Sequence, residues 1–241
     1  MDPMVWIVII SVLGPIIGSA IGIAKRPSFG FISNMLCFAA GVMLAISFLE
    51  LIPESIHLSS VGICSVGVVL GSLAMYGLDR IIPHIHPRLC TQEQGRNLER
   101  TSVYLIMGIF LHNFPEGMAI ATGSVTQLSV SFAIALAIGI HNIPEGICTS
   151  APYYHTTGAR LKAFLLSSST AGPIVLGYLS ARYLFLNISP EAVGLIIGAT
   201  AGLMIYITAD ELIPHSCMGT NHRTIFSLMT GVIFVIFLGL L

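Results

Sequence analysis

No Asp, Glu, Lys or Arg interrupts the chain from Pro3 to Ala24, from Pro27 to Leu49 or from Ser55 to Leu78. An uncharged apolar run of about 20 residues reaches about 30 Å as a helix, the thickness of a bilayer's hydrocarbon core. Such runs recur to the end of the chain, and they predict eight spans at 4–24, 31–54, 61–82, 102–124, 129–151, 162–183, 191–214 and 224–241. Only 9% of the 241 residues are charged and the mean hydropathy is +0.90, against about 25% charged in soluble domains. The expected fold is therefore all-α and integral to a membrane, one transmembrane domain over residues 1–241. Its longest connection is a loop at 83–101, and no nucleic-acid partner is expected.

The basic residues fall almost entirely on one side of this arrangement. Lys25 and Arg26 follow the first span; Arg80, Arg88, Arg96 and Arg100 surround the third connection; Arg160 and Lys162 precede the sixth span and Arg223 the eighth; only Arg182 lies opposite. Under the positive-inside rule both termini are outside, and a plasma (inner) membrane is the expected location. The first span lacks a basic segment before it and reads as a retained helix, not a cleaved leader. Five scattered cysteines without CxxC spacing indicate neither a disulfide framework nor a thiolate metal site.

Two duplications stand out. Ala40 to Ser55, "AGVMLAISFLELIPES", matches Ala201 to Ser216, "AGLMIYITADELIPHS", at nine of sixteen positions, including Glu50 with Glu211 and Pro53 with Pro214. These segments belong to the second and seventh spans, five crossings apart, so they traverse the bilayer in opposite directions. That is the mark of an inverted-topology repeat, and the chain reads as 3+2+3. The second duplication lies in the central pair, "HNFPEG" at 112–117 and "HNIPEG" at 141–146.

Both hexapeptides fall near mid-span, where a charged group costs at least about 2.5 to 3.5 kcal/mol on insertion scales. His112 and Glu116 share a helix face at i and i+4, with Asn113 about 100° away; His141, Asn142 and Glu145 repeat the pattern. Pro115 and Pro144 withdraw a donor and free the carbonyls of Leu111 and Ile140. Two such arcs face to face offer imidazole, carboxylate and amide donors, a set suited to Zn²⁺, Fe²⁺, Mn²⁺ or Co²⁺. Exchangeable N/O ligands without thiolate favour transport over storage. Packing alone has no use for two carboxylates that repel each other in a dry interior.

These motifs, together with "FLELIPES" in the second span, resemble the ZIP family of divalent metal transporters and its bacterial ZupT/GufA-like branch, along the whole chain. The resemblance implies eight helices, a homodimer and import of metal into the cytoplasm. The ion passes between the fourth and fifth helices, which move elevator-fashion against helices 1 to 3 and 6 to 8. No catalytic cofactor is implied, the metal being cargo. By motif, His112, Glu116, His141 and Glu145 match the primary ligands, Asn113 and Asn142 match positions used for a second metal, and Met43 resembles a weaker thioether contact. One position departs: where the family commonly has glutamate before the proline of the sixth helix, this chain has Gly172 before Pro173, which favours a single ion.

Glu50 and Glu54 at one mouth, and Asp210, Glu211 and His215 at the other, are candidate stations along the path. His84 and His86 in the long loop are candidate cytoplasmic contacts. The competing classes are an intramembrane metal-dependent enzyme and a metal-sensing receptor. The first would be expected to show HExxH, whereas the spacing here is HNxPE.

Overall fold

The computed structural model describes residues 3–81, 94–126, 128–184, 189–216 and 222–239. They form eight helical rods: α1 Pro3–Ala24, α2 Phe29–Leu58, α3 Val61–Ile81, α4 Gln94–Thr126, α5 Leu128–Thr157, α6 Arg160–Leu184, α7 Pro190–Ser216 and α8 His222–Leu238. Among the described residues, five helices (α1, α2, α3, α6 and α7) are long and apolar enough to cross a membrane, and α8 is a shorter apolar helix. The central pair, 33 and 30 residues long, carries the two hexapeptides near its midpoints. Helix α4 begins earlier than its charges suggest, inside the stretch expected to be loop.

Proline chemistry shapes the rods. In α2 the turn Ser47–Leu51 is π-helical, closed by Ile52 N–H on Ser47 O, and in α7 the turn Thr208–Leu212 is π-helical, closed by Ile213 N–H on Thr208 O. Each lies directly before an Ile-Pro step, where the proline has no N–H to give the carbonyl four residues back. The two turns occupy matching positions of the repeated sequence. So do the N-caps Ser28 and Ser189, whose hydroxyls accept from Phe31 and Ala192 N–H, as capping serines do. At one end of the α2/α7 pair Ser55 Oγ donates to Gly194 O (2.6 Å), and at the other Ser33 Oγ donates to Ser216 O (2.5 Å). Residues 55 and 216 match, as do 33 and 194.

Backbone contact between helices follows glycine. A Cβ on Gly18 of α1 would strike Ile143 O of α5, and one on Gly146 would strike Pro15 O; in the same way Gly177 of α6 abuts Phe114 O of α4, and Gly117 abuts Ile174 O. Gly41 and Gly231 join α2 to α8 as Gly202 and Gly71 join α7 to α3. Small residues allow such approach in membranes, where packing takes over from the hydrophobic effect.

The result is two four-helix groups, α1, α4, α5 and α6 against α2, α3, α7 and α8. This grouping differs from the expectation that helices 1 to 3 and 6 to 8 stand together around the central pair: α1 packs on α5, and α6 on α4. Between the groups the contact is made by side chains. Gly108 of α4 meets Ile207 Cδ1 and Met75 Cε, within a core that includes Met43, Leu105, Cys148 and Met204.

Candidate metal site

The hexapeptides meet where α4 crosses α5. His112, Asn113 and Asn142 are fully buried, and Glu116, His141 and Glu145 nearly so. His141 Nε2 lies 3.0 Å from Glu116 Oε1, and Asn142 Nδ2 donates to Glu116 Oε2 at 3.1 Å, so Glu116 of α4 gathers the α5 motif. In the reverse direction His112 Nε2 sits 3.2 Å from Glu145 Oε1, out of line for a hydrogen bond, and 3.8 Å from Glu116 Oε1. The two glutamates are thus exchanged: each faces the histidine of the opposite helix.

Many polar side-chain atoms here lack a hydrogen-bond partner. Both ring nitrogens of His112, both carboxylate oxygens of Glu145, Asn113 Oδ1 and Asn142 Oδ1 are buried without a hydrogen-bond partner. Buried polar atoms without partners at this density call for an explanation, and a cation would supply one to the lone pairs among them. Among the described residues no three His, Cys, Asp or Glu side chains surround a single point at coordination distance. His112, Glu116, His141 and Glu145 instead rest on one another.

Helix α6 closes the site from behind. Pro173 has no N–H for Ser169 O, so Gly172 N–H takes that carbonyl and the turn Ser169–Ala171 tightens to 3₁₀. Asn113 Nδ2 donates to Thr170 O at 2.7 Å in this turn. Gly172 is exposed, with open space around its Cβ position.

The other sequence candidates are dispersed. Met43 is buried in α2, its sulfur accepting from Thr208 Oγ1 at 3.8 Å. Glu50, in the π turn of α2, is exposed and within electrostatic reach of His141 and Glu116. Glu54 and His57 are exposed on the following turns of the same helix, at i+4 and i+7 from Glu50. His57 escaped the sequence reading, although that spacing marks it. Asp210 is half-buried and Glu211 is 1% exposed, both in the π turn of α7. His84 and His86 lie outside the described residues, as does the side chain of His215.

Comparison with known proteins settles the relationship. The family model described as ZIP Zinc transporter matches residues 4–104 and 89–239. The chain belongs to the ZIP family. It is 36% identical over 206 residues to the zinc transporter ZupT of Escherichia coli O127:H6, covering 82% of this chain and 80% of that protein. It is 35% identical over the same length, with the same coverage, to the zinc transporter ZupT of Salmonella paratyphi A. Members of this family are transporters, not enzymes, so the intramembrane-enzyme reading falls away, and with it any need for a catalytic cofactor. The chain is an integral membrane protein of a divalent-metal transport family.

Proposed function

We propose that this chain imports a divalent transition-metal ion, Zn²⁺ foremost, into the cytoplasm across the inner membrane, through a site made by His112, Asn113, Glu116, His141, Asn142 and Glu145. The observation that carries this is the set of buried polar side-chain atoms without a hydrogen-bond partner, contributed by both α4 and α5. Borderline N/O donors admit Fe²⁺, Mn²⁺, Co²⁺ and Cd²⁺ as well, because selectivity among such ions follows geometry and availability more than raw affinity.

The path runs past Glu50 on one side and Glu211 on the other. These matched residues stand in unequal states, Glu50 exposed and Glu211 buried, as expected if the site communicates with the Glu50 side and is closed toward the Glu211 side. Glu54 and His57 extend the open side outward; Asp210 and His215 continue the other. His84 and His86 would meet the ion in the cytoplasm.

The matched π turns, caps, serine bonds and glycine approaches support reading the two sets of three helices as an inverted repeat, which gives a transporter two equivalent ways to open. Both termini are taken as outside, an orientation in keeping with Arg26 Nη2 on His155 O and Arg160 Nη2 on Ala24 O, which bring the basic first and fifth connections together. A homodimer is the expected assembly by resemblance to the family.

The test is ⁶⁵Zn²⁺ uptake into proteoliposomes by the unaltered chain, His112→Ala and Glu145→Ala, each checked for folding by size-exclusion elution. Saturable uptake lost in both folded variants is the expected result. Binding without net flux down a gradient in the unaltered chain would turn the reading to another transported metal or to a metal-sensing receptor.

A further inference from the structure

We propose that Ser167 of α6 is a positioning residue for the metal site, holding the turn of α5 that presents Glu145; the inference rests on the transport reading above. Buried hydroxyls in membrane helices commonly bond a carbonyl of their own helix, as Ser47 Oγ does with Met43 O. Ser167 does not. Its Oγ lies 2.6 Å from Ser19 Oγ of α1, 2.5 Å from Thr149 Oγ1 of α5 and 3.1 Å from Gly146 O of α5, all on other helices, and all three hydroxyl residues are fully buried.

Thr149 Oγ1 in turn reaches Glu145 O at 3.0 Å and Gly146 O at 3.2 Å, and Ser19 Oγ donates to Pro15 O at 2.6 Å. The three hydroxyls share two mutual contacts and the carbonyls of Pro15, Glu145 and Gly146, the last of which also accepts from Ser150 Oγ at 2.6 Å. Removing the Ser167 hydroxyl breaks both short contacts at once, because Ser167 is the member common to them.

The location gives this clasp its consequence. Pro144 breaks the hydrogen-bond ladder of α5 one residue before Glu145, and Gly146 adds no side chain to stiffen the turn that follows. Ser167 and Thr149 bond the carbonyls of Glu145 and Gly146 in that turn and tie it to α1 and α6. Three residues further along α6, Thr170 O receives Asn113 Nδ2 from the α4 motif. A single stretch of α6, residues 167–170, therefore fixes both half-sites, and the separation of Glu145 from His112 depends on it. Partners that orient metal ligands from outside the ligand set typically change affinity by about 10- to 100-fold when removed.

The experiment measures Zn²⁺ affinity by calorimetry and ⁶⁵Zn²⁺ uptake kinetics on the full chain for Ser167→Ala, for Thr149→Val, which removes the hydroxyl at constant shape, and for Ser33→Ala. Ser33 is a buried inter-helix hydroxyl remote from the site, on Ser216 O. Affinity lower by about 10- to 100-fold in the first two, with KM raised more than kcat is lowered, and affinity retained in Ser33→Ala, is the expected outcome. Unchanged affinity and KM in folded Ser167→Ala or Thr149→Val overturns the proposal, as does an equal loss in Ser33→Ala, which would mark general loosening. Should Ser167→Ala fail to fold, Thr149→Val decides alone. Failure of the unaltered chain to bind Zn²⁺ overturns Zn²⁺ as the ion of this site, a result distinct from a silent Ser167→Ala.

Discussion

Glu116 holds two donors of the opposite helix at once, His141 Nε2 and Asn142 Nδ2, and replacing it exposes how the half-sites depend on each other. Glu116→Gln keeps the volume and removes the charge, so a carboxylate that would neutralise the cation is gone and one amide edge turns a donor toward His141 or Asn142. Hydrogen bonds to charged groups are worth about 1.5 to 3 kcal/mol each. Zn²⁺ binding by Glu116→Gln is therefore expected to fall by at least about tenfold, read by calorimetry, with the folded fraction unchanged on size exclusion. Wild-type affinity would remove Glu116 from the ligand set. The six motif residues were legible in the sequence because i, i+4 spacing fixes their face and duplication gives them a partner. Ser167, Thr149 and Thr170 were not, since serine and threonine are ordinary in membrane helices and their inter-helix bonds depend on which helix lies against which.

Gly117 and Gly172 separate helix packing from helix exposure. A Cβ on Gly117 meets Ile174 backbone atoms of α6, which cannot yield without moving the helix, whereas Gly172 has open space. Gly117→Ala is expected to cost about 1 to 3 kcal/mol, the usual range for overpacking, seen as an earlier loss of the monodisperse peak on heating. Gly172→Ala should be neutral or stabilising by up to about 1 kcal/mol, because alanine is the better helix former. A Gly117→Ala variant as heat-resistant as the unaltered chain would contradict the close approach of α4 and α6. The number of rods and most of their bounds follow from hydropathy alone. Which rod lies against which does not: α1 joins α5 and α6 joins α4 across long stretches of chain, and a glycine shows only that some backbone comes near, not whose. The π turns were half visible, as Pro53 and Pro214 in matched positions, but the five-residue bond depends on a carbonyl finding a donor one step farther on.

The two four-helix groups differ in how they are held. Inside each, backbone touches backbone at glycine; between them, Met43, Met75, Leu105, Ile207 and Cys148 present side chains. Methionine is flexible and adapts to altered neighbours, so such a face can slide with less disturbance than an interlocked glycine seam. If the ion is carried by displacement of α1, α4, α5 and α6 past α2, α3, α7 and α8, a covalent tie between the groups stops uptake. Cys148 of α5 lies with Sγ 3.1 Å from Met35 O of α2, which makes Met35→Cys, in a Cys37→Ser background, the natural site for such a tie. Oxidised to the disulfide, this variant is expected to lose ⁶⁵Zn²⁺ uptake while still binding Zn²⁺, and to regain uptake on reduction with dithiothreitol. Undiminished uptake by protein shown to be fully cross-linked would mean that the groups stay fixed and that the ion passes by side-chain rearrangement within the site alone.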